Sequence, residues 1–187
     1  EALEDPSVLA AIQSSPGGIF FSMVTWTDSA QVAVDWRRIA TKADATATAA
    51  LVRAVPRLSG NFTCLGQMMR VLAARVVPAL PVQADRTVID VSGDGIDNCT
   101  NPVDLKLVRQ DVLRAHTTIN GLPILVPGEN DYVGSGIFRK PGYSGPQVSG
   151  EPDKEGTTRG QWYASKHVTG PGARLLPEPG YDDFARP

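Results

Sequence analysis

Residues 85–98 read DRTVIDVSGDGIDN, and the reading of this stretch decides the fold. Thr87, Val88, Ile89 and Val91 form a β-branched run of the kind that is buried in a sheet. It ends abruptly in Gly93-Asp94-Gly95, so the chain leaves a strand and turns at once. Pro102 to His116 then reads as a helix with proline in its first turn. Thr117 to Val126 (TTINGLPILV) reads as the next strand, with Gly121 and Pro123 disturbing its far half. Strand, helix, strand over about forty residues is a βαβ unit, which calls for parallel neighbours in one sheet.

Working towards the N-terminus, Ala43 to Val55 and Thr63 to Val77 read as helices closed by Pro56 and Pro78, with residues 57–62 as a loop. Ile19 to Trp26 (IFFSMVTW) is a nearly continuous apolar run, the mark of a strand buried on both faces. Gln31 to Trp36 follows after so short a link that it pairs back antiparallel. Residues 1–15 carry Leu3, Val8, Leu9 and Ile12 at helical spacing, and Pro16-Gly17-Gly18 breaks them off. Towards the C-terminus, residues 127–160 are dense in Gly and Pro and show no period, so they read as a surface insertion. Gln161 to Val168 reads as a short helix, Ala173 to Leu176 as a last strand, and Tyr181 to Ala185 as the start of a helix.

Composition bounds the function. With 187 residues, 42% of them hydrophobic, a net charge of −2 and only 2 Cys, the chain suits one domain held by its own core. The charge gives no broad grip on nucleic acid or anionic lipid. No apolar run approaches the roughly 20 residues of a membrane helix. Cys64 and Cys99 either form one bridge or stay as two small buried residues.

Three stretches together resemble an uncharacterised bacterial family of von Willebrand factor A-like domains: DRTVIDVSGDGIDN, TTINGLPIL (117–125) and WYASKHVTGPGARLLPEPGYDDFAR (162–186). SGNFTCLG (59–66) is similar to the family's middle motif, and GGIFFSMVTWTDSAQVAVDW (17–36) to its central strand and edge hairpin. The resemblance implies an α/β fold, a doubly wound, mainly parallel sheet in a three-layer Rossmann-like sandwich with one antiparallel edge strand. On that basis residues 1–187 make a single domain, incomplete at both ends. The family's first strand with its Asp-x-Ser-x-Ser motif does not occur in the chain, and most of the last helix is also missing.

The resemblance also implies a metal-ion-dependent adhesion site at the top of the sheet, with Thr63 and Asp94 as its metal ligands and Mg²⁺, or Mn²⁺ or Ca²⁺, as the ion. Hard oxygens at near-octahedral positions suit Mg²⁺, and one open position takes a partner's carboxylate. Cys64 and Cys99 each follow a candidate metal loop, which places them on one rim and implies a disulfide and a periplasmic or extracellular location.

Other residues have plainer readings. Asp94 also suits a turn, and Thr63 also suits a helix cap. Asp90 reads as a hydrogen-bonding strand residue facing a helix. Ser92 is not in a G-x-S-x-G elbow, so it is not a nucleophile. His116 and His167 read as a helix end and a surface residue, and Trp26, Trp36, Met68 and Met69 as packing.

The expected function is a non-enzymatic, extracytoplasmic protein-binding module that meets its partner through the metal-dependent rim. The alternative is a metal-free structural or accessory subunit docked on a larger assembly. A remote alternative is a metal-assisted hydrolase using Asp94, Asp97 and Asp104.

Overall fold

The computed structural model describes residues 2–113, 117–124, 132–133, 157–166 and 168–177. After a 3₁₀ turn at Ala2–Glu4 comes α1, Pro6–Ser14. Asp5 caps α1, accepting from the amides of Ser7 at 2.8 Å and Val8 at 3.3 Å. The chain then turns at Gly18, whose φ is +79°. A Cβ there would lie 2.2 Å from the carbonyl oxygen of Ile39, so only glycine closes this turn.

Strand β1 (Ile19–Trp26) pairs antiparallel with β2 (Ala30–Ile39) in a register running from Trp26↔Ala30 to Ile19↔Ile39. This β2 is longer than the expected 31–36, because the pairing continues through Arg37 and Arg38, exposed side chains that a hydrophobic pattern passes over. Helix α2 (Lys42–Ala54) opens with a capping box in which Thr41 and Asp44 exchange side-chain and backbone bonds.

The single helix expected over 63–77 is three joined pieces: α3 (Leu65–Val71), a π-helical turn (Leu72–Val76) and a 3₁₀ turn (Val77–Ala79). Pro78 explains the change, since it has no N–H for the carbonyl of Ala74 and its ring crowds that position. The Val76 carbonyl accepts the Trp36 indole N–H at 2.8 Å.

Strand β3 (Thr87–Gly93), helix α4 (Pro102–Leu113) and strand β4 (Thr117–Pro123) form the expected βαβ unit, parallel in register from Thr87↔Thr117 to Gly93↔Pro123. Gly121 and Pro123 do not disturb β4. Pro123 is fully buried, and Gly121 lets the Tyr163 ring approach to 3.1 Å from where a Cβ would stand. Residues 173–176 form no full strand. The outer edge of β4 takes isolated bridges at Ile119↔Thr169 and Gly121↔Leu175 instead. A short antiparallel pair, β5 (Tyr132–Val133) and β6 (Thr157–Thr158), precedes α5 (Arg159–Lys166). The rest of the expected 127–160 insertion and the expected helix at 181–185 lie outside the described residues.

The larger core packs α3, the π turn, α4 and α5 on the parallel pair, with Met69, Val112, Ile119 and Tyr163 essentially sealed from solvent. Each such side chain contributes about 1.5–3 kcal/mol by burial. A smaller core joins Ile12 of α1 to Ile39 and Ala45, flanked by Ile19 and Phe21. The described residues are thus α/β, with a parallel pair and an antiparallel hairpin as separate two-stranded sheets.

Candidate functional site: a rim of stapled loops

Loops far apart in sequence meet at the C-terminal ends of β1 and β3. Asp28, in the β1–β2 turn, accepts on one carboxylate oxygen from the amides of Asn61 at 2.7 Å and Phe62 at 2.6 Å. Cys64 donates its amide to the Thr27 carbonyl at 3.0 Å. Gly60 permits this contact, since a Cβ there would lie 2.5 Å from the Thr27 side chain.

The same loop is tied to the one after β3. Thr63 donates its amide to Asn98 Oδ1 at 2.8 Å, and the Asn98 amide returns a bond to the Thr63 carbonyl at 3.2 Å. Asp97 is only 2% exposed. Its Oδ2 accepts from Gly66 at 3.0 Å, and its Oδ1 from Cys99 at 3.0 Å and Thr100 at 2.6 Å. Those charge-assisted bonds repay the burial of a carboxylate. The disulfide Cys64–Cys99, with Cα atoms 5.2 Å apart, joins the two loops covalently.

Sequence reasoning brought Thr63 and Asp94 to one place, and the structure sets their loops side by side. The Thr63 hydroxyl lies 3.0 Å from where a Cβ on Gly95 would stand, and Asp94 is exposed at the adjoining position. Thr63 does not cap the helix, because Cys64 occupies the cap position without a side-chain cap bond. Tyr163 of α5 donates its hydroxyl to the Gly95 carbonyl at 3.2 Å, and the Trp26 ring comes within 3.5 Å of the Cβ position of Gly93.

Asp28, Asn98 and Tyr163 carry no rim role in the sequence reading, and Asp97 enters it only in the hydrolase alternative, not as a residue that holds the loops together. Asp97 had one usable signal, an Asp two and three residues ahead of amides that lead into a helix, which is an Asx turn. Asp90 is exposed and accepts from Asn120 Nδ2 at 2.8 Å, so it makes the expected hydrogen bond but does not face a helix. His116 and His167 lie outside the described residues.

Thr63 and Asp94 supply two hard oxygens, whereas Mg²⁺ needs six, some of them water. No group of three or more His, Cys, Asp or Glu able to hold a metal occurs among the described residues, and Asp97 has both oxygens engaged by backbone amides. By themselves, then, the described residues do not fit a resident ion. No described helix is long and apolar enough to cross a membrane.

Comparison with solved structures supports the α/β assignment. Conserved hypothetical protein BatB from Bacteroides thetaiotaomicron aligns with 96% of this chain and 80% of its own at TM-score 0.52 and 10% identity. Proximal thread matrix protein 1 from the mussel byssus aligns with 62% of this chain at TM-score 0.50 and 14% identity. The chain spans only 28% of the length of that mussel protein. Both are von Willebrand factor A-domain proteins, and the likeness shows a fold of that kind. No curated protein matches the chain. The sequence matches, over residues 1–187, the family described as "Protein of unknown function (DUF1194)", and the chain belongs to that family.

Proposed function

We propose that this chain is a non-enzymatic protein-binding module that meets its partner with the rim around Thr63, Asp94 and Gly95. The observation that carries this reading is the stapling of that rim. Two carboxylates, a reciprocal Asn98–Thr63 pair and a disulfide hold loops from three parts of the chain in one rigid surface. A preorganised surface loses little conformational entropy when it binds. In this reading the chain belongs to a single domain, a doubly wound three-layer sandwich. The disulfide favours an oxidising compartment, so the working location is periplasmic or extracellular.

A divalent cation enters this reading only if further hard-oxygen ligands join Thr63 and Asp94. Asp94→Ala and Thr63→Val are each expected to weaken partner binding at least tenfold, about 1.4 kcal/mol, in a titration of the full protein. Unchanged affinity in both variants would sink the rim reading. EDTA separates the versions: a matching loss gives the metal-dependent form, and undiminished binding gives the metal-free one.

A second reading is a metal-free accessory subunit docked permanently on a larger assembly. Cleavage of 127–160 by protease in the free protein but not in the assembly is the outcome expected of that reading. Equal cleavage in both settings would exclude it.

A further inference from the structure

The most exposed large apolar side chains among the described residues sit together. Val103 is 66% exposed and Leu107 52%, and they stand one turn apart on α4. The same helix buries Leu105, Val108 and Val112 in the core, which turns Val103, Leu107 and the exposed Gln110 outwards as one stripe. The exposed Asp104 and Asp111 lie along one flank of this stripe and Lys106 along the other. Arg109 is turned towards α5, where it donates to the Lys166 carbonyl at 2.7 Å.

The stripe continues the rim without a break. The loop that starts at Asp94 runs directly into α4, and Asp97 fixes it through the amides of Cys99 and Thr100. Asn101 Oδ1 then accepts from the Val103 amide at 2.9 Å, which ties the first turn of α4 to that loop. Together the rim and this turn expose Asp28, Asp94 and Asp104, and residues 27–29, 59–64 and 94–105 contain no Lys or Arg. Such a surface attracts cationic groups and repels anionic ones, which disfavours an acidic peptide, a nucleic acid or an anionic bilayer. A second copy meeting the same face is disfavoured too, because its carboxylates would oppose their own kind.

We propose that α4 and the acidic rim form one docking surface for a helix of the partner protein that is apolar on one face and rich in Lys or Arg beside it. An apolar pair at i, i+4 spacing on a convex face is matched by a second helix, whose own apolar residues recur at that spacing. Val103 and Leu107 enter between those residues, as the ridges of one helix enter the grooves of another. Asp104 and Asp94 meet the partner's cations on the rim side, and Lys106 disfavours cations on the opposite flank, so the charges orient the partner across α4. This deepens the rim reading, on which it rests, by giving the partner's chemistry.

The test titrates the full protein with two amphipathic helical peptides of about 20 residues, one of Leu and Lys and one of Leu and Glu, read by calorimetry and by NMR amide shifts. The Leu/Lys peptide is expected to saturate the protein, with shifts centred on α4 and the rim, and the Leu/Glu peptide to bind at least tenfold more weakly. Leu107→Lys should weaken the Leu/Lys peptide at least tenfold, while Leu107→Met keeps it. Asp104→Lys should narrow the gap between the two peptides, and Leu51→Lys, a change at an exposed site on α2, should alter neither. Equal binding of both peptides, indifference to Leu107→Lys, or shifts elsewhere would overturn the proposal. Self-association of the protein that is lost with Leu107→Lys would also overturn it, by giving the stripe to a second copy. In the partner titration above, loss with Asp94→Ala but not with Leu107→Lys would overturn this proposal alone. Loss with Leu107→Lys but with neither Asp94→Ala nor Thr63→Val would overturn the rim reading and leave α4 as the contact.

Discussion

At the residue scale, the arrangement around Asp97 shows how a side chain that looks suited to chemistry can be committed to architecture. Three acidic residues close in sequence, Asp94, Asp97 and Asp104, invite a catalytic or metal reading. The structure assigns Asp97 to three backbone amides and buries it, leaving Asp94 exposed on the rim. Removing the carboxylate orphans those amides, so Asp97→Ala is expected to destabilise the protein by about 3 kcal/mol in urea unfolding. Asp97→Asn, which keeps one acceptor oxygen, should lose less. A loss below about 1 kcal/mol for the alanine variant would show that the bonds are replaced by water. The carboxylate was legible as an Asx turn but not as a buried group, because burial depends on α3 packing over it.

Elements show where local sequence rules hold and where neighbours override them. Thr41 and Asp44 specify the start of α2, and Asp5 with Pro6 specifies the start of α1, since caps are satisfied within three or four residues. The helix after Thr63 is different. Its apolar spacing reads as one helix, but the π turn depends on Pro78 and on an indole from β2 that helical spacing cannot reveal. The rim loops depend on their cross-link in the same way. Cys64 and Cys99 are 35 positions apart. In the chain-entropy model the loss of their bond costs about 3–4 kcal/mol. The Cys64→Ser, Cys99→Ser variant should lose that much in urea unfolding, and wild type in reductant should match it. Stability that is insensitive to both would mean the hydrogen bonds between the loops suffice.

For the whole molecule, three carboxylates near the helix starts contribute to the response to acid. Asp44 is held below the usual carboxylate range by the Ala40 amide and then by Thr41, Asp5 by the Ser7 hydroxyl and amide and then by Val8, and Glu4 by its bond to Arg53. Lowered folded-state values mean that the stabilisation is fully present above the ordinary carboxylate value near 4 and is lost as pH falls through the lower folded ones. Thermal unfolding should therefore show a midpoint that is flat above about pH 5 and falls below pH 4, with a smaller acid loss in Asp44→Asn. A midpoint rising on acidification would contradict the assignment. These groups lie half-buried at the surface, and salt should weaken the Glu4–Arg53 part of the effect. What the sequence by itself determined is everything carried by short-range rules. Apolar runs gave β1, β3 and the βαβ unit, prolines gave the start of α4 and the ends of the two helices before β3, and the resemblance placed Thr63, Asp94 and the two cysteines on one rim. Only the tertiary structure decided which carboxylates are consumed in holding loops and that Tyr163 and Asn98 build the rim. Those outcomes rest on contacts between residues tens of positions apart, which packing sets and no local pattern encodes.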